Sequence, residues 1–398
     1  MNPAAGEARR ATFVLAASQA VVGSAAPIAF ALGALSGHYL LADDKSLATL
    51  PVTGFTVGVA LGAVPAAALL RRAGYRLGFQ AGTFVTGLGG VLSALGLLGA
   101  SFVLFVLGMF VLGVGGAFVQ QVRFAAADYA PSAYKARAIA LVLAAGVVTA
   151  ILGPQIVIFT RDLLAPVMFA GAFAAIVGLA VVGAAILAFL PAGRAGGGAV
   201  SGLDEPARPL GQILRQPRFV VGLVCGVGAY SLMSFVMTGA PLAMVGCGFS
   251  ADEATLGISW HVMAMFAPSF FTGRLIARFG AEAVVAAGLA LLVACGVVAL
   301  SGIELWQFWT ALVLLGAGWN FGFIGTTAMV AETYRPSERA KVLGIHDLVL
   351  FGAAALASFL SGVVYDAWGW AALNWVTFPV VLLCVAGLAG LRFVAPAD

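Results

Sequence analysis

Long apolar stretches of about 20 or more residues, nearly free of charge, recur along the whole chain and are separated by short polar or basic segments. Wound as a helix at about 1.5 Å per residue, each is long enough to cross a hydrocarbon core of about 30 Å. Twelve such spans are predicted. They fall at 12–36, 48–70, 77–99, 101–123, 138–160 and 165–190, and then at 218–243, 252–276, 281–303, 304–330, 342–365 and 370–393. One interruption is long: residues 191–217 (PAGRAGGGAVSGLDEPARPLGQILRQP) are rich in Gly, Pro and charge and read as a flexible cytoplasmic linker. The predicted organisation is an all-α membrane protein with an N-terminal six-helix bundle at 1–190 and a C-terminal one at 218–398. The first span lacks a cleavage pattern after it and reads as retained.

Composition agrees with this pattern. Hydrophobic residues make up 62% of the chain and charged residues 9%, which leaves too little charge to solvate a globule of this size. Of the 20 Lys and Arg, only Lys45 and Arg161 fall in the odd-numbered loops. That bias places both termini and the linker in the cytoplasm, and turns the loops holding Asp43, Asp44, Asp252, Glu253 and Glu304 outward. The net charge of +4 is the same bias, so nucleic acid is not indicated as a partner; the lipid bilayer is. No phosphate-cradling Gly-rich loop with Lys-Ser/Thr is present, which argues against ATP-driven pumping, and nothing points to an enzyme or a prosthetic group.

Candidate chemistry lies in spans 7 and 8. Met233 and Met237 are four residues apart on one helix, His261 and Met265 four apart on the next, so each pair shares a face of its own helix. Along the axes the four lie roughly 9 to 20 Å below the outer surface, at overlapping depths. Three thioethers and an imidazole form a ligand set suited to monovalent copper. Spacing alone leaves ligation and packing both open, because methionine also fills gaps in apolar helices. Cys225 and Cys247, at opposite ends of span 7, are candidates for relaying a soft metal, against the simpler reading of small buried thiols that also applies to Cys295 and Cys384. His346 and Asp347 are candidates for proton coupling, the alternative being that Asp347 pairs with Arg339 or Lys341 at the surface. Gln19, Gln120, Gln155 and Asn320 either line a cavity or bond between helices. Trp306, Trp309, Trp368 and Trp370 lie near span ends and read as interface anchors.

The two halves repeat. Arg71-Arg72-Ala73-Gly74 after span 2 matches Ala277-Arg278-Phe279-Gly280 after span 8, and Asp128–Arg137 (DYAPSAYKAR) matches Glu332–Lys341 (ETYRPSERAK) after spans 4 and 10. With these loops the chain resembles the major facilitator superfamily, although Arg71 and Ala277 stand where that family usually has Asp. The resemblance implies alternating access around a site between the halves near mid-membrane. The paired motifs in spans 7 and 8 are further similar to those of CcoA-type copper importers. That likeness implies copper import across a bacterial inner membrane for cbb3-type cytochrome c oxidase assembly, with Met233, Met237, His261 and Met265 as the transit site and a cytoplasmic copper acceptor or chaperone as partner. Two other functions stand beside it: a proton-coupled carrier of a small organic solute, and a non-transporting copper sensor.

Overall fold

The computed structural model describes residues 3–131, 134–191, 208–335 and 337–394. Every regular element among them is a helix: α1 (Pro3–Val22), α2 (Ala25–Leu40), α3 (Leu50–Ala73), α4 (Tyr75–Leu98), α5 (Phe102–Tyr129), α6 (Lys135–Thr160), α7 (Ala170–Leu187), α8 (Leu210–Leu214), α9 (Pro217–Gly246), α10 (Ala251–Phe266), α11 (Ser269–Phe279), α12 (Ala281–Leu300), α13 (Leu305–Ala331), α14 (Arg339–Trp375) and α15 (Thr377–Val394). A backbone placed in hydrocarbon must satisfy its own polar groups, and helices do so within one segment. Helices α1 and α2 form one apolar run interrupted at Gly23 and Ser24; α10 and α11 form one span bent by 41°. The run Lys341–Leu391 has 51 residues, about 75 Å of helix, more than two bilayer cores. It divides at Gly369, whose φ of +73° is not helical, and so accounts for two crossings. The described residues therefore carry the twelve expected spans.

Within each half the same turn recurs. Gly74 joins α3 to α4 with φ +81° and ψ +166°, and Gly280 joins α11 to α12 with φ +85° and ψ +158°. A side chain disfavours that backbone, so the glycine of each repeated loop is what allows two antiparallel helices to follow without a gap. The acidic residues of the second repeated loop are also anchored to the start of the helix after that turn. Asp128 accepts a hydrogen bond from Tyr75 of α4, while Glu332 pairs with Arg218 at 2.7 Å, and Arg218 pairs in turn with Glu282 of α12.

Helices α1–α7 pack mainly on one another, as do α9–α15. Contacts between the two sets run through α6 against α10, α3 against α14, and α2 against α9 and α10. They lie toward the end of the molecule opposite the chain termini. There Arg161 and Asp252 form an ion pair at 2.7 Å, the Thr49 hydroxyl donates to the Phe359 carbonyl at 3.2 Å, and the Ser259 hydroxyl donates to the Ala150 carbonyl at 2.5 Å.

Residues 192–207 of the expected linker lie outside the described residues. The remainder is a correction: 208–216 include α8 and dock on the C-terminal bundle. Arg208 binds Glu338 through both carboxylate oxygens, Gln216 donates to the Thr333 carbonyl at 3.0 Å, and Ile213 is buried against Phe219, Val330 and Val342. A bidentate guanidinium–carboxylate pair over an apolar contact holds a segment that composition alone marks as flexible.

Candidate functional site

Met233 and Met237 are buried in the core of the C-terminal bundle, and His261 is fully buried on α10. The imidazole turns to α13, where Nδ1 donates to the Leu312 carbonyl at 2.8 Å. Gly316 makes this possible: a Cβ there would lie 2.4 Å from the His261 carbonyl oxygen, so only glycine lets the helices come this close. Met265 is partly buried, and its carbonyl accepts from Asn320 Nδ2 at 2.6 Å. Asn320 also donates to Ser269 and accepts from Thr272, both at 2.7 Å, which assigns it to tying the bent α10–α11 span to α13. No group of three or more His, Cys, Asp or Glu side chains gathers in a metal-holding cluster among the described residues.

The cysteines are all free. Cys225 is buried against α15, its Sγ 3.6 Å from the Cys384 carbonyl oxygen, and the Cys384 Sγ lies 3.8 Å from the Val224 carbonyl oxygen. Cys247 caps α9 at the opposite end and is exposed, and partial burial still raises its thiol pKa. Trp306 and Trp368 are exposed, as anchors would be. Trp370 is not: it is buried beside Phe308 and its indole donates to the Ala299 carbonyl at 3.2 Å, so it locks α14 to α12.

Mid-depth in the C-terminal bundle, four rings from three helices meet. Tyr230 of α9 stands edge-on to Trp319 and Phe323 of α13 and to Phe351 of α14, with centroids 5.4–5.5 Å away, while Trp319 and Phe323 stack at 5.1 Å. Trp319 is 8% exposed and its indole N–H has no hydrogen-bond partner among the described residues. Toward the chain termini the wall becomes polar. His346 Nδ1 bonds Asp347 at 3.0 Å, and Asp347 lies one turn before Phe351 on α14. Arg123, on α5 of the other bundle, holds its guanidinium 4.9 Å from the centre of the Phe124 ring, and its Nε has no hydrogen-bond partner among the described residues. This aromatic group was not singled out in the sequence, yet a signal exists: Trp319 sits mid-span, away from the span ends near which Trp306, Trp309, Trp368 and Trp370 lie, with Phe323 four residues on.

Two helical bundles joined at one end, with an aromatic and polar wall at mid-depth, define a multi-pass membrane transporter rather than an enzyme. The model described as Major Facilitator Superfamily matches residues 11–268 and 225–398, and the chain belongs to that superfamily. It is 47% identical over 383 residues to the riboflavin transporter RfnT of Brucella anthropi, covering 96% of this chain and 95% of the relative. It is also 31% identical over 370 residues to the uncharacterised transporter YddS of Bacillus subtilis, covering 88% of this chain and 84% of that one. A third relative, the uncharacterised transporter YdeG of the same organism, is 28% identical over 392 residues, covering 95% and 90%.

The near full-length riboflavin transporter overturns the copper reading. Copper import, supply of cbb3-type oxidase, and copper with its acceptor or chaperone as partners rested on four side chains in two helices, whereas the likeness to a carrier of an organic solute extends over almost every residue. Methionine at four-residue spacing also arises from packing. The carrier of a small organic solute, held above as an alternative, fits better.

Proposed function

We propose that this chain carries riboflavin across the bacterial cytoplasmic membrane by alternating access between the bundles 1–190 and 218–398, with both termini in the cytoplasm. The 47% identity to a riboflavin transporter over nearly the whole of both chains is the observation that carries the reading. The wall of Tyr230, Trp319, Phe323 and Phe351 supports it, since a flat heteroaromatic ring is held by aromatic faces and edges and oriented by a few polar groups. Contacts between the bundles at the far end support a state open on the terminal, cytoplasmic side. Proton coupling through His346 and Asp347 belongs to the same proposal and is supported by a buried His346 Nε2 that has no hydrogen-bond partner among the described residues.

Uptake of radiolabelled riboflavin by a riboflavin-requiring bacterium expressing the chain tests the reading. Saturable uptake competed by unlabelled riboflavin is expected, with a lower rate after a protonophore. Background uptake at normal membrane abundance would overturn riboflavin as cargo, and uptake indifferent to the protonophore would remove the coupling.

A further inference from the structure

At the end of the N-terminal bundle where α1 begins, α7 packs against both α1 and α4, and a cleft of about 500 Å³ opens over its last residues. Glu7 and Arg10 line the cleft from α1, Arg76 lines it from α4, and residues 188–191 line it from the segment that follows α7. Tyr129 fixes that segment by donating to the Pro191 carbonyl at 2.7 Å. Neither arginine nor Glu7 enters an ion pair among the described residues.

The other half shows the same position with its charges matched internally. Glu282 stands two residues past the turn glycine Gly280, and Arg76 stands two past Gly74, so equivalent positions carry opposite charge. Glu282 pairs with Arg218 of α9, which also binds Glu332 at 2.7 Å. In the N-terminal half Asp128, the counterpart of Glu332, accepts from Tyr75 instead, and α1 contributes Arg10. The C-terminal half thus closes its charges on itself, whereas the N-terminal half leaves two guanidinium groups lining one cleft. An anion held by both relieves their repulsion and takes charge-assisted hydrogen bonds from each.

The surroundings select the anion. Arg9, Arg71 and Arg72 are also exposed at this end, so Glu7 stands against five arginines and the local field is positive. Phe13, one turn along α1 from Arg10, is 62% exposed, Leu77 beside Arg76 is 61% exposed, and Phe189 in the cleft is 63% exposed. In a membrane-spanning chain such open apolar side chains belong in hydrocarbon, which sets the cleft at the boundary between acyl chains and headgroups.

We infer that this cleft binds an anionic glycerophospholipid of the phosphatidylglycerol class. Arg10 and Arg76 hold the phosphate diester, Glu7 accepts from the headgroup hydroxyls, and the acyl chains run along Phe13, Leu77 and Phe189. A carboxylate accepts from hydroxyls and repels further negative charge, so Glu7 favours the singly charged diester over phosphatidate. The site is built by the N-terminal bundle alone, goes beyond the cargo reading and does not depend on it.

Native mass spectrometry of the full chain, delipidated in detergent and titrated with phosphatidylglycerol, phosphatidylcholine or phosphatidate of matched acyl chains, reads the affinity of the first lipid bound. The wild type is expected to bind phosphatidylglycerol about tenfold or more tighter than phosphatidylcholine, the scale of two arginines at a membrane surface. Arg10→Gln with Arg76→Gln should bring the two lipids to parity. Arg71→Gln with Arg72→Gln, an equal loss of charge outside the cleft, should keep the preference. Glu7→Gln should lower the preference for phosphatidylglycerol over phosphatidate by about threefold or more. Each readout is a ratio of two lipids on one variant, so loss of some folded protein does not move it; Arg76→Gln alone carries the comparison if the double variant does not fold. A wild type without preference, or a preference that falls equally in both double variants, would overturn the site in favour of general attraction to a basic surface. A phosphatidate ratio unmoved by Glu7→Gln would overturn the role given to Glu7. Inorganic phosphate in large excess should leave the lipid bound; displacement would overturn the lipid assignment and leave a site for a soluble anion.

Discussion

Arg161, following α6, and Asp252, in the first turn of α10, meet at 2.7 Å and form the one ion pair between the two bundles among the described residues. Both are partly exposed, which sets the scale of what they contribute: about 0.2–1 kcal/mol for a pair in such surroundings. Arg161→Ala or Asp252→Ala should therefore shift the population of the state closed at this end by a few-fold rather than abolish it. Labelling of a cysteine placed beside Thr49 measures the shift, and exchanging the two charges should restore protection.

Glu338 is 2% exposed and is held by the Arg208 side chain and by backbone N–H groups of Arg208 and Arg335. The Arg208 hydrogen bond is the main cause that lowers its carboxyl from 4.5 to about 2. A depressed carboxyl pKa stabilises the docked segment at pH above the ordinary value, and that stabilisation is lost as pH falls from about 4.5 through about 2. Protection of the 208–216 amides, measured against their unfolded exchange rates at each pH, should therefore fall over that acid window in the wild type. In Glu338→Gln it should be low already at pH 7.

Asn320 makes three buried hydrogen bonds around the bend of the α10–α11 span. Asn320→Leu leaves the Ser269 and Thr272 groups and the Met265 carbonyl without it, and should cost about 1–3 kcal/mol of stability in detergent unfolding. Asn320→Asp removes the donor and keeps the acceptor, and should fall between Leu and the wild type.

A Cβ on Gly113 would lie 2.0 Å from the Phe55 carbonyl oxygen, whereas one on Gly178 would meet nothing within 4 Å. Gly113→Ala should force α3 and α5 apart and lower folded yield, at a cost of about 1–3 kcal/mol. Gly178→Ala on a membrane-exposed surface should leave the size-exclusion profile unchanged.

Met237 is buried in an apolar core, so Met237→Leu, which conserves volume, should keep flavin uptake within about threefold of the wild type. A copper chelator should leave uptake unaltered. A carrier whose transport depended on a thioether ligand would fail both tests.

Much of the fold was legible along the chain. Span existence and order follow from apolar length against bilayer thickness, and Gly74 and Gly280 mark equivalent turns because a positive φ excludes most other residues. The docked segment after residue 207 was not legible, because its order comes from a carboxylate 130 positions away in sequence. The same limit governed the candidate site. Four-residue spacing placed Met233 with Met237 and His261 with Met265 on shared helix faces, but the rotation of each helix about its axis was decided by its neighbour. Gly316 let α10 approach α13 and drew the imidazole to the Leu312 carbonyl. Likewise Cys225 found Cys384, and Tyr230 found rings on α13 and α14 about 90 and 120 residues later in the chain. By itself the sequence determined that this is a twelve-span membrane protein in two repeated halves, because hydrophobic length and backbone sterics are local quantities. Which side chains face one another across helices was decided only by tertiary packing, since helical periodicity specifies a face but not what lies opposite it.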